Sequence, residues 1–342
     1  MTDQTLVQVV LPGIVEPEDL RVRRTARPEP GAGQITIAME ATGVSFAEQQ
    51  MRRGRYYDQP PFPFVPGYDV VGRVYAVGAG VDPALLGRRV AVLTKVGGWA
   101  SHVLADARDA VEVPEGLTAE QAETVVVNGI TAWQMLHRKA HVKAGQTILV
   151  HGASGGVGQV LTQLALAAGV TVIGTASVRN HDALRAAGAL PVDRTANVPE
   201  KVRELAPDGV DAIFDHVGLR SVAECWPLLR RGGTLVSYGT AATRDDTGSK
   251  QLPVLKILAR TTLWTLLPNG RSASFFNIWA GKKLNQDRFR ARLRADLTEV
   301  FGALRRGDIT TSVAATLPLA QAGEALRLAE SGTVSGKIVL TP

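Results

Sequence analysis

Gly152, Gly155 and Gly158 stand three apart in the run Ile148-Leu149-Val150-His151-Gly152-Ala153-Ser154-Gly155-Gly156-Val157-Gly158. The pattern reads as a short apolar strand, a tight turn and the start of a helix over 157–168. Glycines let the backbone turn sharply and approach a ligand with no Cβ in the way. The first amides of the helix then point at an anion such as a pyrophosphate. Ser154, Gly155, Gly156 and Val157 are therefore the expected pyrophosphate contacts of a dinucleotide. The motif lies in mid-chain, so a separate domain is expected before it to bind the substrate.

The next apolar run, Val170 to Thr175, leads into Ala176-Ser177-Val178-Arg179-Asn180-His181. A site for NAD usually carries an acidic residue about 20 positions past the glycines, to accept from the ribose hydroxyls. None occurs here before Asp182. Small hydroxyl residues and a guanidinium suit a 2′-phosphate instead. The reading is NADP(H) rather than NAD(H), with Thr175, Ser177 and Arg179 in the site and Arg194 as a third phosphate ligand. Two further strand ends, Asp215-His216-Val217-Gly218 and Ser237-Tyr238-Gly239-Thr240, should line the crevice beyond the carboxyl ends of parallel strands. Val217, Tyr238 and Gly239 are the contacts expected there. His216 is read as a strand-end histidine rather than a catalytic one.

These residues need elements to hold them. The first 115 residues run in short Val-rich segments, including 34–41, 70–77 and 88–93. They are separated by Pro30-Gly31, Pro66-Gly67, Gly97-Gly98 and Pro114-Glu115-Gly116, which predicts a largely antiparallel β domain. Thr118 with Gln121 forms a capping-box signal for a helix. From about Val125, strands at 147–151, 170–175, 212–215 and 234–238 alternate with helices at 157–168, 180–187 and 220–229, which implies parallel βαβ units. A strand at 271–278 and a helix at 287–305 follow. The tail, with a strand at 309–314, a helix at 320–331 and a strand at 336–340, should return to the first domain. The expected domains are 1–126 completed by 281–342, and 127–280.

Of the 342 residues, 45 % are hydrophobic and 20 % charged, as in ordinary globular chains. The single cysteine, Cys225, excludes an intrachain disulfide and a cysteine metal cluster. There is no signal-peptide pattern at the start and no apolar run of the roughly 18 residues that span a bilayer. A cytoplasmic protein is expected. The net charge is +6, yet residues 250–306 alone hold 12 Lys/Arg against 3 Asp/Glu. Such a surplus attracts anionic cofactors, lipid or nucleic acid, but Arg288, Arg290, Arg292 and Arg294 are interleaved with core-type residues and read as a solvated helix face. The apolar segment 252–267 is open to three readings: a lid, a membrane-surface segment, or a packed helix.

The β domain, central glycine-rich domain and returning tail resemble the medium-chain dehydrogenase/reductase superfamily. The match runs over nearly the whole chain. Gly43-Val44-Ser45-Phe46-Ala47-Glu48, Arg53-Gly54-Arg55-Tyr56, Pro66-Gly67-Tyr68-Asp69-Val70-Val71-Gly72, Ala153 to Gly158 and Gly336-Lys337-Ile338-Val339-Leu340 resemble its zinc-free quinone oxidoreductase branch. Residues 234–280 are most similar to the synaptic-vesicle-protein-like members, with zeta-crystallin more distant. The resemblance implies an α/β fold: a GroES-like, mostly antiparallel β domain and a Rossmann domain with a doubly wound parallel sheet. It places Lys337 and Phe276 among the cofactor contacts. It also implies a homodimer paired through the edge strand near 271–278.

The zinc-dependent alcohol dehydrogenases of the superfamily hold their metal with a cysteine where this chain has Ser45 and a histidine where it has Tyr68. Serine and tyrosine are poor zinc ligands at neutral pH, and the cysteine-rich lobe is missing, so no metal is expected. Without a Lewis acid the easier hydride acceptors remain, namely quinones and α,β-unsaturated carbonyls. The expected chemistry is hydride transfer from NADPH, bound across the interdomain crevice, to a small apolar quinone. Tyr56 is the first choice, and Ser45 the second, for donating to the developing acceptor oxygen. An aromatic lining role is the alternative for Tyr56. Asn128 and Thr131 are expected at the nicotinamide or substrate. The alternatives are an NADPH-dependent enone, alkenal or enoyl-thioester reductase, and a low-turnover NADPH-binding protein acting through a lipid, nucleic-acid or protein partner. No nucleic-acid partner is expected, and membrane-surface contact is the lesser expectation.

Overall fold

A computed structural model describes residues 5–244 and 246–342. In chain order the strands are β1 (Thr5–Val10), β2 (Arg21–Ala26), β3 (Gln34–Val44), β4 (Asp69–Val77), β5 (Arg89–Leu93), β6 (His102–Asp106), β7 (Val111–Glu112), β8 (Thr147–Val150), β9 (Thr171–Ala176), β10 (Leu190–Asp193), β11 (Val210–Asp215), β12 (Leu229–Ser237), β13 (Ser272–Phe275), β14 (Val313–Pro318) and β15 (Lys337–Thr341). The helices are α1 (Phe46–Arg52), α2 (Ala119–Trp133), α3 (Gly156–Ala167), α4 (His181–Ala186), α5 (Val198–Leu205), α6 (Leu219–Cys225), α7 (Leu252–Leu266), α8 (Gln286–Arg306) and α9 (Ala322–Ser331). The chain divides into two units. One comprises the residues up to Asn128 with Leu284–Arg305 and Thr311–Pro342; the other comprises Gly129–Lys283 with Arg306–Thr310.

The first unit is built on a sheet in the order β14-β15-β3-β4-β5-β7, with β6 also paired to β3, and a separate β1-β2 hairpin. Every pairing is antiparallel except β14 with β15. Period-two alternation in β3 and β4 sends Ile35, Ile37, Met39, Val70 and Val74 into a core shared with Trp99, Leu326 and Leu340. Burial of this kind stabilises by about 25 cal/mol per Å² of apolar surface. Arg52 of α1 is buried and bridges Glu330 of α9 at 2.7 Å while donating to the Val15 carbonyl at 2.6 Å. Arg290 of α8 similarly clasps Asp109 and Asp106, at 2.6 and 2.8 Å.

The second unit carries a six-stranded parallel sheet in the order β10-β9-β8-β11-β12-β13. From β8 the chain winds outward through β9 to β10, then crosses back to β11 on the other side of β8. The switch point of the doubly wound sheet therefore lies between β8 and β11. Leu149, Ile173, Val192, Ile213 and Leu235 meet Val202 and Val222 in its core.

Several expected bounds are revised. The strand expected at 309–314 lies instead at Val313–Pro318. Ile309 is buried, and Thr310 is bonded on both its amide and hydroxyl to Gln163, which holds this segment in the second unit. The helix expected over 220–229 stops at Cys225 and gives way to a tight turn containing Pro227. Segment 252–267 is the helix α7. It buries Val254, Ile257 and Thr261 and leaves Leu255, Leu258, Leu263 and Leu266 exposed. The hairpin β1-β2 and the helix α5, capped by Asn197, were not foreseen. Among the described residues no helix is long and apolar enough to cross a membrane.

Candidate functional site

The glycine turn of the second unit follows β8 directly. Gly152 has φ +66° and donates to the Thr175 hydroxyl at 3.0 Å, while Ala153 donates to the Thr175 carbonyl at 2.9 Å. A side chain at Gly152 is blocked twice, by its positive φ and by the His216 ring, whose Cε1 lies 2.3 Å from the place of a Cβ. Gly155 is the N-cap of α3 and has no side chain to satisfy the first amides. Those of Gly156 and Val157 are thus available to an anion. Gly158 packs so closely that a Cβ would lie 2.1 Å from the Gly152 carbonyl oxygen. The turn and the helix are pressed together by the absence of side chains, leaving a backbone cradle that fits a pyrophosphate.

The carboxyl ends of β9 and β10 lie beside this turn. Thr175 is buried, whereas Ser177 is half-buried and Arg179 and Arg194 are exposed. The Arg194 amide donates to the Ala176 carbonyl at 3.0 Å, which places the starts of both guanidinium side chains past neighbouring strand ends. Asn180 donates to Ser154 at 3.0 Å and ties the β9 loop to the glycine turn. On the other side of the switch point, the Tyr238 amide donates to the Asp215 carbonyl at 2.8 Å and the Ala242 amide to that of Val217 at 2.9 Å. A Cβ on Gly239 would stand 2.9 Å from the His216 carbonyl oxygen. Val217, Tyr238 and Gly239 are thereby brought together. Burial, aided by Asp215, raises the Tyr238 phenol above its usual pKa. Phe276, just past β13, is buried, with its amide on the Ser237 carbonyl at 2.7 Å. Thr131 is buried in α2.

Below the turn lies a polar cluster that sequence reasoning did not foresee. His151 Nε2 is 3.4 Å from Cys225 Sγ, 3.5 Å from Ser221 Oγ and 3.8 Å from Asp215 Oδ2. Asp215 accepts from the Gly218 amide at 2.9 Å and from the Ser221 hydroxyl at 2.5 Å. Burial lowers the pKa of His151 against the opposing pull of Asp215, so the imidazole is neutral near pH 7. It also pushes the Cys225 thiol up to about 12, so this cysteine is not a nucleophile. The cluster pins the loop that carries Val217.

In the first unit, Tyr56 follows α1 on a loop folded back on the helix, where the Arg55 and Tyr56 amides both donate to the Gln50 carbonyl. Its hydroxyl is 2.8 Å from that of Tyr68. Tyr68 is only 4 % exposed and follows Gly67, whose φ of +103° and 2.4 Å distance from a Cβ to the Trp99 amide exclude other residues. The Tyr68 carbonyl accepts from the amides of Thr94 and Lys95, at 2.9 and 3.0 Å. Burial, with Tyr68 and Tyr57 nearby, raises the Tyr56 phenol well above its usual pKa, and burial with Asp58 beside it pushes Tyr57 up to about 12. Both are neutral hydrogen-bond donors near pH 7.

Ser45 is the N-cap of α1 and sits in a capping box. Its hydroxyl accepts from the Ala47 amide at 3.1 Å and donates to the Glu48 carboxylate, which in turn accepts from the Ser45 amide at 2.8 Å. That corrects the expectation of a donor to the acceptor oxygen, because the only hydroxyl hydrogen is already given to Glu48. Lys337 lies in the first unit, buried against Glu123 with Nζ 3.2 Å from Oε1. Burial opposes its charge, but Asp69, Glu123 and Glu48 outweigh it and hold the ammonium above the usual lysine pKa. Burial raises Glu123 well above the usual carboxyl range despite Lys337, with Asp69 adding to the rise. The structure sets the Lys337 charge, expected at the cofactor, against this acidic cluster. Asn128 donates to the Thr124 carbonyl at 3.1 Å within α2.

The sequence models of two domains match: the alcohol dehydrogenase GroES-like domain over residues 31–115 and a zinc-binding dehydrogenase domain over 187–340. The human synaptic vesicle membrane protein VAT-1 homolog is 33 % identical over 340 residues, covering 94 % of this chain and 82 % of that protein. The chain belongs to the medium-chain dehydrogenase/reductase superfamily, in its quinone oxidoreductase and VAT-1-like branch. Among solved structures, a mycobacterial protein crystallised with NADPH is 30 % identical with a TM-score of 0.81, covering 98 % of this chain and 100 % of that one. A structure of a mycobacterial quinone oxidoreductase gives the same values.

The second domain's description names zinc, and the donor set here does not fit that ion. At the two positions where the superfamily's zinc enzymes place a cysteine and a histidine, Ser45 is held by its capping box and Tyr68 by Tyr56. Neutral hydroxyls are weak zinc ligands. Among the described residues no three or more His, Cys, Asp or Glu side chains are grouped to hold a metal.

Proposed function

We propose that this member of the superfamily is an NADPH-dependent oxidoreductase that reduces small apolar quinones without zinc. The observation that carries the reading is the glycine cradle, packed closely enough that a Cβ on Gly158 would overlap the Gly152 carbonyl, with Arg179 and Arg194 at the adjoining strand ends. The backbone amides of Gly156 and Val157 hold the pyrophosphate, while that of Gly155 closes the turn on the Gly152 carbonyl at 2.9 Å. Ser177, Arg179 and Arg194 hold the 2′-phosphate, and Val217, Tyr238 and Gly239 line the way to the nicotinamide. The relatives support it: one was crystallised with NADPH and another is named a quinone oxidoreductase.

Bound NADPH supplies the hydride; a quinone that takes it, together with one proton from water, becomes a hydroquinone. The chain's own residues orient the partners and offer a donor where negative charge develops on the acceptor oxygen. Tyr56 is that donor, since its phenol stays protonated near pH 7. The chain also pairs with a second copy. β13 is the outer strand of the parallel sheet, and the α7 beside it exposes Leu255, Leu263 and Leu266; such edges and apolar faces are usually covered. Light scattering from the purified protein should give twice the chain mass.

The test is NADPH oxidation, with NADH as control, against phenanthrenequinone, a simple benzoquinone, an alkenone and crotonyl-CoA. Fast turnover of the quinones with NADPH is expected. Preference for the alkenone or thioester would replace quinone reduction with enone reduction on the same residues. Tight NADPH binding without turnover of any acceptor would overturn the enzymatic reading.

A further inference from the structure

We propose that Tyr68 is a positioning residue for Tyr56, donating its phenol hydrogen to the Tyr56 oxygen so that the Tyr56 O–H is turned toward the acceptor. The proposal rests on the reading that Tyr56 meets the acceptor oxygen. The two hydroxyl oxygens are 2.8 Å apart, a full hydrogen bond for O–H to O. One such bond uses one of the two hydrogens, so the direction of donation decides which phenol has a hydrogen to offer elsewhere.

The surroundings favour Tyr68 as donor to Tyr56. Tyr68 is 4 % exposed, whereas Tyr56 is half-buried on the loop after α1. As a whole residue Tyr56 is the less enclosed of the two, so its hydrogen is the one that an acceptor would take. The backbone of Tyr68 is clamped on both sides. Gly67 precedes it in a conformation only glycine tolerates, and Thr94 and Lys95 donate to its carbonyl. Asp69 follows, with its carbonyl accepting from the Thr42 hydroxyl at 2.6 Å and its carboxylate accepting from the Val127 amide at 3.0 Å. Tyr68 is therefore the fixed member of the pair. The rings meet edge to face with centroids 6.2 Å apart, so phenylalanine at either position keeps the packing and removes only the hydroxyl. A phenol that accepts a hydrogen bond is also a stronger donor through its own O–H, because chained hydrogen bonds polarise one another.

The experiment is a cycle of Tyr56→Phe, Tyr68→Phe and the double variant, each assayed for quinone reduction, NADPH affinity and thermal midpoint. Tyr68→Phe should lower kcat and kcat/KM together by roughly 3- to 10-fold, the worth of one oriented hydrogen bond. NADPH affinity should not move, and the thermal midpoint should fall by no more than about a few degrees, the loss of one buried hydrogen bond. The double variant should be no slower than Tyr56→Phe alone, since Tyr68 acts only through Tyr56. If Tyr56→Phe is slow and Tyr68→Phe matches the parent, the positioning role falls and the donor reading survives. If Tyr56→Phe itself is unchanged, the donor reading falls, and the positioning role with it. Multiplying losses in the double variant would show two independent roles and overturn the series arrangement. Tyr68→Met, which also lacks the donor, replaces the Phe variant should that fail to fold.

Discussion

Replacing Gly158 by alanine places a methyl carbon 2.1 Å from the Gly152 carbonyl oxygen, 2.8 Å from its carbonyl carbon and 3.0 Å from Ala153 Cα. All three are backbone atoms, so no side chain can swing aside. Ordinary contact begins near 3.4 Å, and the turn and α3 must separate by about 1 Å in an interior packed as densely as this one. Overpacking of this kind costs about 1–3 kcal/mol. For a unit of this size that lowers the thermal midpoint by roughly 2–4 °C per kcal/mol. The shift also moves the Gly156 and Val157 amides off a bound pyrophosphate. Losing one hydrogen bond to a charged group is worth about 1.5–3 kcal/mol, which weakens NADPH binding by roughly 10- to 100-fold. Gly155→Ala is the counterpart. Its Cβ would meet the Gly152 carbonyl oxygen at 3.3 Å, and Gly155 has φ −82°, open to any residue. That variant should keep its thermal midpoint and weaken NADPH through contact with the ligand alone. Fluorescence titration with NADPH and a thermal melt on each variant measure both effects. Gly158→Ala protein that binds NADPH as the parent does would refute the cradle.

Three other consequences are open to measurement. Replacing Arg179 and Arg194 by alanine together should weaken NADPH by roughly 10- to 100-fold and leave NADH unchanged, the mark of a lost 2′-phosphate contact; equal losses for both nucleotides would point to a damaged fold instead. Arg108, then Arg290, hold the Asp106 carboxyl down at about 2. Its stabilisation is complete above the ordinary aspartate range and is lost as pH falls from about 4 toward 2, so the thermal midpoint of the parent should drop more steeply there than that of Asp106→Asn, and parallel curves would contradict this. Lys337→Met leaves the acidic cluster without its cation and should cost about 3–5 kcal/mol in denaturant unfolding. Glu123→Gln resembles the neutral carboxyl that burial favours and should cost far less; the reverse order would show that Glu123 is ionised.

Much of the fold was legible because its signals are local. The capping box expected at Thr118 is present: its hydroxyl accepts from the Gln121 amide at 3.2 Å, and Gln121 returns a bond to the Thr118 amide at 3.0 Å. The glycine turn was legible for the same reason, since strand, turn and helix follow one another within a dozen residues. What was missed depends on distance along the chain. Nothing about Tyr56 in its own segment says that Tyr68 will stand 2.8 Å away, and nothing near Lys337 says that Glu123 will take its charge. The final strands shifted because Thr310 found Gln163, a partner 147 positions earlier. The Ser45 capping box is local too: Ser45 and Glu48 carry the S-x-x-E spacing that marks a helix start, and the helix takes the hydroxyl before an acceptor can.

The most direct test of the account is single-turnover oxidation of NADPH by phenanthrenequinone with deuterium on one or the other face of the nicotinamide. On the proposed reading the site binds NADPH in a single pose, in which one face of the nicotinamide meets the acceptor. Deuterium on one face should slow the reaction, and deuterium on the other should leave its primary rate unchanged. Equal rates with both, or no oxidation at all in a protein that binds NADPH tightly, would contradict hydride transfer as the work of this chain.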